Sequence, residues 1–292
     1  MVNLARKDKR LYLITIDMGF SVLEAFQQEF PDRFLNVGIA EQNAVGVACG
    51  LALSGWTPVV YSIVPFVVFR CFEQVRNDIA YMNVNVKLVG VGAGLGYGPA
   101  GPTHHALTDI AVMRVLPNMS VCCPGDPYEA SLLTEQCLSR TGPVYMRLGK
   151  GREPVSHKPD DSVILGEPSV LAKGSGTIII TTSNSLDIGK KLSGLLADRG
   201  QTPSLVSLHT IKPIAPQNLV RLLTPFQKII TIEEHSIIGG LASLISEIIA
   251  SAELRVSLHT FGIMDTFISD IGTQEYLRNK NKLSAEYILE HI

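Results

Sequence analysis

The stretch Arg33-Phe-Leu-Asn-Val-Gly-Ile-Ala-Glu41-Gln-Asn-Ala-Val-Gly-Val-Ala-Cys-Gly-Leu-Ala-Leu53 carries the fold in miniature: a short apolar run, a turn, and a carboxylate that opens a helix over 41–53. A carboxylate at a helix start is favoured by the dipole and by free backbone N–H groups, so the plain reading of Glu41 is a helix-start acid. The residues after it argue for more. Ala44, Gly46, Ala48, Gly50 and Ala52 make the helix unusually small-sided, where a plain core helix would offer Leu and Ile. Another backbone or a flat ligand can approach such a helix closely.

The same alternation extends outward in both directions. β-branched runs predict strands at 11–16, 57–61, 86–91, 119–122 and 144–148, with helices at 21–30, 41–53, 69–81 and 127–139 between them. In the third helix Phe72, Val75 and Ile79 fall on one face. The Pro-, Asp-, Lys- and Gly-rich stretch around 153–168 has neither periodicity and is expected to be a linker. Strands at 177–181, 205–208, 228–232 and 256–261, with helices at 188–199 and 241–250, then repeat the pattern. The expected fold is α/β, two successive domains with parallel or mixed sheets, at 1–152 and 169–292.

Composition narrows the function. A net charge of -2, 46% hydrophobic and 18% charged residues describe a globular chain, with no basic run to suggest nucleic acid. No apolar stretch approaches the ~20 residues of a membrane helix, and the basic start is followed by too few apolar residues for a secretory segment. A cytoplasmic location is expected. Cys49, Cys71, Cys122, Cys123 and Cys137 lack zinc-ligand spacing and read as reduced and mostly buried, so no metal site is assigned to this chain.

Two further stretches could carry chemistry. Phe66, Phe69 and Phe72 recur every three residues, which on a helix makes an aromatic stripe that either packs in the core or offers a ring to a planar heterocycle. Gly94-Leu-Gly-Tyr-Gly-Pro-Ala-Gly-Pro-Thr-His104-His105 follows the strand at 86–91, and ligands in α/β sheets bind at the carboxyl ends of strands. Its two histidines titrate near neutral pH. Gly96, Gly98 and Gly101 match a dinucleotide spacing formally, but Pro99 and Pro102 argue for a loop rather than a helix start.

Taken together, Asn36-Val-Gly-Ile-Ala-Glu41-Gln, Gly101-Pro-Thr-His104, Arg114-x-x-Pro117-Asn118-Met119 and Pro124-x-Asp126 resemble the pyrimidine-binding domain of transketolases and deoxyxylulose-phosphate synthases. Thr231-Ile-Glu-Glu-His235 followed by Gly239-Gly240 is similar to the family's C-terminal domain, so the resemblance spans the chain. It implies that Glu41 is catalytic, hydrogen-bonding N1′ of the aminopyrimidine of thiamine diphosphate. Phe66 would stack on that ring, with Phe69 one turn on as a second candidate and Phe72 completing the stripe. His104 would contact the reacting oxygens, with His105 behind it. Asp17 would lie at a subunit contact, and Ser21 and Arg147 would help bind the substrate, Arg147 as an anion clamp. A surface ion pair is the competing reading of Arg147. Glu233, Glu234 and His235 receive no role beyond a solvated or capping one.

Two departures bear on the partner and the substrate. The Gly-Asp-Gly and Asn-Asn pair that binds metal and diphosphate in this superfamily is absent. The resemblance therefore implies a split enzyme: this chain as the C-terminal subunit, a separate N-terminal-type subunit holding the diphosphate with Mg²⁺ or Ca²⁺, and self-association giving a heterotetramer. The implied activity is transfer of a two-carbon ketol unit from a ketose donor to an aldehyde acceptor. Sugar-phosphate transketolases carry an acidic residue where this chain has Ala100 and a histidine where it has Gly90. The rival readings are the E1 β subunit of a 2-oxo acid dehydrogenase and a non-catalytic partner of a thiamine enzyme. Gly-Pro-Thr-His104 speaks against the first, and Glu41, Phe66 and His104 together against the second.

Overall fold

The computed structural model describes residues 1–292 and contains two mixed α/β sheets, as the alternation predicts. The N-terminal sheet is built from β1 (Leu11–Thr15), β2 (Phe34–Asn36), β3 (Thr57–Ile63), β4 (Lys87–Val91), β5 (Ser120–Cys122) and β6 (Val144–Leu148). The C-terminal sheet contains β7 (Ser169–Ala172), β8 (Thr177–Thr181), β9 (Ser204–Ser207), β11 (Lys228–Ser236) and β12 (Ser257–Ile263), while β10 (Thr210–Lys212) crosses over to the first sheet. The strand orders are β10-β5-β6-β4-β3-β1-β2 and β12-β11-β8-β9-β7. All pairings are parallel except β10 with β5 and β7 with β9.

Parallel β1, β2, β3 and β4 direct their carboxyl ends to one edge, so the segments that follow them meet there. That edge carries the candidate site.

The helix Glu41–Leu53 has the bounds the sequence predicts. Ala44, Val45, Ala48 and Cys49 face the core, while Gly46 and Gly50 lie on its exposed side. The expected helix at 21–30 is shorter, Glu24–Glu29. The residues before it turn sharply, with Asp17, Gly19 and Ser21 all at positive φ. The expected α-helix at 69–81 is replaced by wide i→i+5 turns at Phe66–Arg70 and Val75–Tyr81 around a single α turn, Phe72–Gln74. Such turns rotate side chains away from α-helical register.

One apolar core runs through both halves of the chain, with Ile110 and Met113 in the same cluster as Leu208, Ile211 and Leu241. Each such fully buried side chain contributes roughly 1.5–3 kcal/mol. The five cysteines are free and buried. No helix is long and apolar enough to cross a membrane.

Candidate active site

Glu41 starts its helix at the end of the β2 turn and is 3% exposed. Its Oε1 accepts a hydrogen bond from Arg70 Nη1 at 2.7 Å. The Arg70 guanidinium lies over the Phe66 ring, 4.1 Å from its centroid. Phe66 meets the His104 ring edge-on at 5.1 Å, and Tyr97 stands 6.2 Å beyond His104 with the Lys150 ammonium 4.6 Å above its ring. The segments after β2, β3 and β4 thus bring a buried carboxylate, an aromatic face and an imidazole together.

Local packing explains these directions. Val67, Val68 and Cys71 are fully buried, which anchors the wide turn after β3 and leaves Phe66, Phe69 and Arg70 outside the core. The Cys71 thiol donates to Val67 O at 2.9 Å, and burial, with Glu41 nearby, pushes it up to about 12, so it remains a thiol. The expected aromatic stripe is not formed. Phe66 joins Glu41 and His104; Phe69 lines a separate cavity; Phe72 packs half-buried against the core. Spacing by threes presumes α geometry, which the wide turns and the break at Cys71 remove.

The loop after β4 makes single 3-10 turns at Gly98–Ala100 and Pro102–His104, and no α-helix opens there, as Pro99 and Pro102 predict. His104 is half-buried with Nδ1 3.0 Å from Thr103 Oγ1. The C-terminal half holds this loop in place. Glu234 accepts from Leu95 N, from Asn184 Nδ2 at 3.1 Å, from Gln274 Nε2 at 2.8 Å and from Arg278. Ser236 N donates to Leu107 O at 2.7 Å. Gly94 sits at φ +61, and the space a Cβ would need there is taken by the Glu234 carboxylate.

His105 is buried and lines a cavity of about 450 Å³ with Phe69, Thr108 and residues 263–268, so it faces the junction of the two halves. Burial lowers its pKa, which keeps the imidazole neutral.

Arg147 requires a correction. It is fully buried, with Nε donating to Asp109 Oδ2 at 2.8 Å and Nη2 to Ala106 O at 2.7 Å and Glu234 O at 3.1 Å. Neither an anion clamp nor a surface pair fits this position. Arg147 ties β6, the His104 loop and β11 together. Asp17 and Ser21 are exposed beside Phe20, 75% exposed, and Val22, and Asp17 N donates to Asn36 Oδ1 at 2.9 Å.

Glu233, Glu234 and His235 are fully buried rather than solvated. Glu233 caps the helix Leu241–Ser251 by accepting from Leu241 N at 2.7 Å and Ala242 N at 2.8 Å, and burial pushes its carboxyl up to about 7. Sequence reading missed Arg70 and Glu234. Arg70 stands four residues after Phe66, a spacing at which a cation can cover a ring; Glu234 had no local signal.

Chemically, the site offers a buried carboxylate beside the face of a phenyl ring, and the planar Arg70 guanidinium meets both. No group of three or more His, Cys, Asp or Glu side chains is arranged to hold a metal ion.

Comparison with known proteins agrees with this geometry. Residues 1–154 match the family model "Transketolase, pyrimidine binding domain" and residues 166–288 match "Transketolase, C-terminal domain". The chain is 35% identical to one of the named subunits of an apulose-4-phosphate transketolase, from Actinobacillus succinogenes, over 91% of this chain and 85% of that one. It is 34% identical to a putative transketolase C-terminal section of Methanocaldococcus jannaschii, over 100% of this chain and 92% of that one. Among solved structures it resembles a split gene transketolase, described as an inactive β4 tetramer, with TM-score 0.88 and 31% identity over 99% of this chain and 92% of that one.

Proposed function

The chain belongs to the transketolase family, and from that premise we propose that it is the C-terminal subunit of a split, thiamine-diphosphate-dependent transketolase that moves a two-carbon ketol unit from a ketose to an aldehyde. The observation that carries this reading is the convergence of buried Glu41, the Phe66 ring and His104 at one sheet edge.

Thiamine diphosphate, when bound, supplies the carbon nucleophile that a ketol transfer requires. Glu41 would donate a hydrogen bond to N1′ of the aminopyrimidine, and its burial would make that contact strong and directional. Phe66 orients the ring by stacking. His104, one ring-width away, stands where it can move a proton at the substrate's hydroxyl or carbonyl oxygen. The Leu95 and Ala106 anchors keep that imidazole in register.

The diphosphate and its Mg²⁺ or Ca²⁺ belong in this reading to a second, N-terminal-type subunit, because this chain lacks the Gly-Asp-Gly and Asn-Asn elements. Two further facts support a partner: one relative is named as a single subunit of its transketolase, and another of this size is described, assembled as β4, as inactive. Phe20 and Val22, close to Asp17 in the chain, and Ile39 are exposed and provide apolar surface for such a subunit. The assembly in this reading is a heterotetramer in which this chain also contacts a second copy of itself. Contacts to the substrate at Gly90 differ from those of transketolases that carry a histidine there, since Gly90 is packed so tightly that a Cβ would lie 2.8 Å from Val64 Cγ2.

The test is calorimetric titration of thiamine diphosphate with Mg²⁺ into this chain, into the diphosphate-binding subunit and into the mixture. Saturable binding is expected only in the mixture, and Glu41→Gln in the mixture should weaken it and abolish turnover. Tight binding by this chain alone would refute the division of labour; no binding in the mixture would refute the cofactor site.

A further inference from the structure

We propose that Arg70 is a placeholder for the cofactor: in the unloaded chain its guanidinium occupies the pyrimidine slot, and the cofactor must displace it to reach Glu41. The inference rests on the cofactor reading above and assigns Arg70 a role in how the site is filled.

The geometry is specific. Arg70 makes the two contacts the slot offers a planar heterocycle, a hydrogen bond to Glu41 at 2.7 Å and a stack on Phe66 at 4.1 Å. Arg70 is the cation that pairs with Glu41 in this chain. A buried carboxylate without a partner is costly, so a site that waits for its ligand gains from a temporary one. Arginine suits the task because its guanidinium is flat, weakly hydrated and stacks on aromatic rings, which a lysine ammonium does not do equally. Its side chain is 44% exposed, against 3% for Glu41, so it has solvent to retreat into once displaced.

A site closed by its own side chain binds more weakly by the fraction of time it stands open; closure nine-tenths of the time lowers apparent affinity roughly tenfold. In the complex with the diphosphate-binding subunit, Arg70→Met should therefore bind thiamine diphosphate about tenfold more tightly and associate faster. Arg70→Lys, which keeps charge and loses the plane, should fall between. A readout free of cofactor comes from urea unfolding of this chain alone. Arg70→Met should lower the midpoint in the wild-type background and leave it unchanged in a Glu41→Gln background.

Affinity in Arg70→Met equal to or below wild type would overturn the placeholder while leaving the proposed function standing, because wild type would still bind and Glu41→Gln would bind more weakly. Additive unfolding effects would overturn it as well. Loss of binding in every form, wild type included, would remove the cofactor site and this inference with it.

Discussion

At the scale of single residues, Glu41, Phe66 and His104 differ in exposure: the carboxylate is buried, while the ring and the imidazole are half-buried. His104→Ala in the assembled complex is expected to lower kcat by about 10²–10⁴ with little change in cofactor affinity, the size of a lost positioned proton-transfer group; steady-state kinetics beside a cofactor titration would show it. Phe66→Ala should act the other way, weakening cofactor binding by about 1 kcal/mol through loss of a ring stack. Of these residues, Glu41 and His104 were legible because each stands in a short local motif. Arg70 was not, since its partner Glu41 is 29 positions away and only the fold brings the two side chains together.

At the scale of elements, the loop after β4 owes its shape to β11, 139 positions away at the Leu95–Glu234 contact. Removing Glu234 leaves Arg278 with Asp187 as its remaining carboxylate partner and Leu95 N without an acceptor, so Glu234→Ala should cost about 1–3 kcal/mol of stability and lower activity by loosening His104. Thermal unfolding and turnover measured on the same preparation would separate the two effects. A second element is expected to respond to pH. Asp126 caps the helix Pro127–Ser139 by accepting from Glu129 N at 2.8 Å, and His157, from the stretch after β6, sits 2.9 Å from Asp126 Oδ2 and 3.2 Å from Glu129 Oε1. Burial opposes its positive charge, but the two carboxylates outweigh it and raise His157 to about 9. Because the folded value lies above the ordinary 6.5, this clamp contributes fully below about pH 6.5 and is lost as pH rises through 9. Stability measured from about pH 6 to 10 should fall, and His157→Gln should flatten that decline.

At the scale of the molecule, the two halves share a core and a strand, β10 pairing with β5. Asp109 accepts from both Tyr145 Oη, at 2.6 Å, and Arg147, and so joins β6 to the segment that follows the His104 loop. Asp109→Ala should therefore destabilise the chain by about 3–5 kcal/mol, read as a lowered midpoint in a calorimetric scan.

By itself the sequence determined the α/β alternation, the helix Glu41–Leu53 with its carboxylate at the start, and the glycine loop carrying His104, because hydrophobic period, capping and turn chemistry are written within a few residues of one another. Only the tertiary structure decided that Phe66 and not the whole aromatic stripe faces the slot, that Arg147 is buried between elements, and that Glu234 holds the loop. Those outcomes depend on which distant side chains share a low-dielectric space, where each buried charge must find a partner, and that pairing is settled by packing rather than by neighbours in the chain.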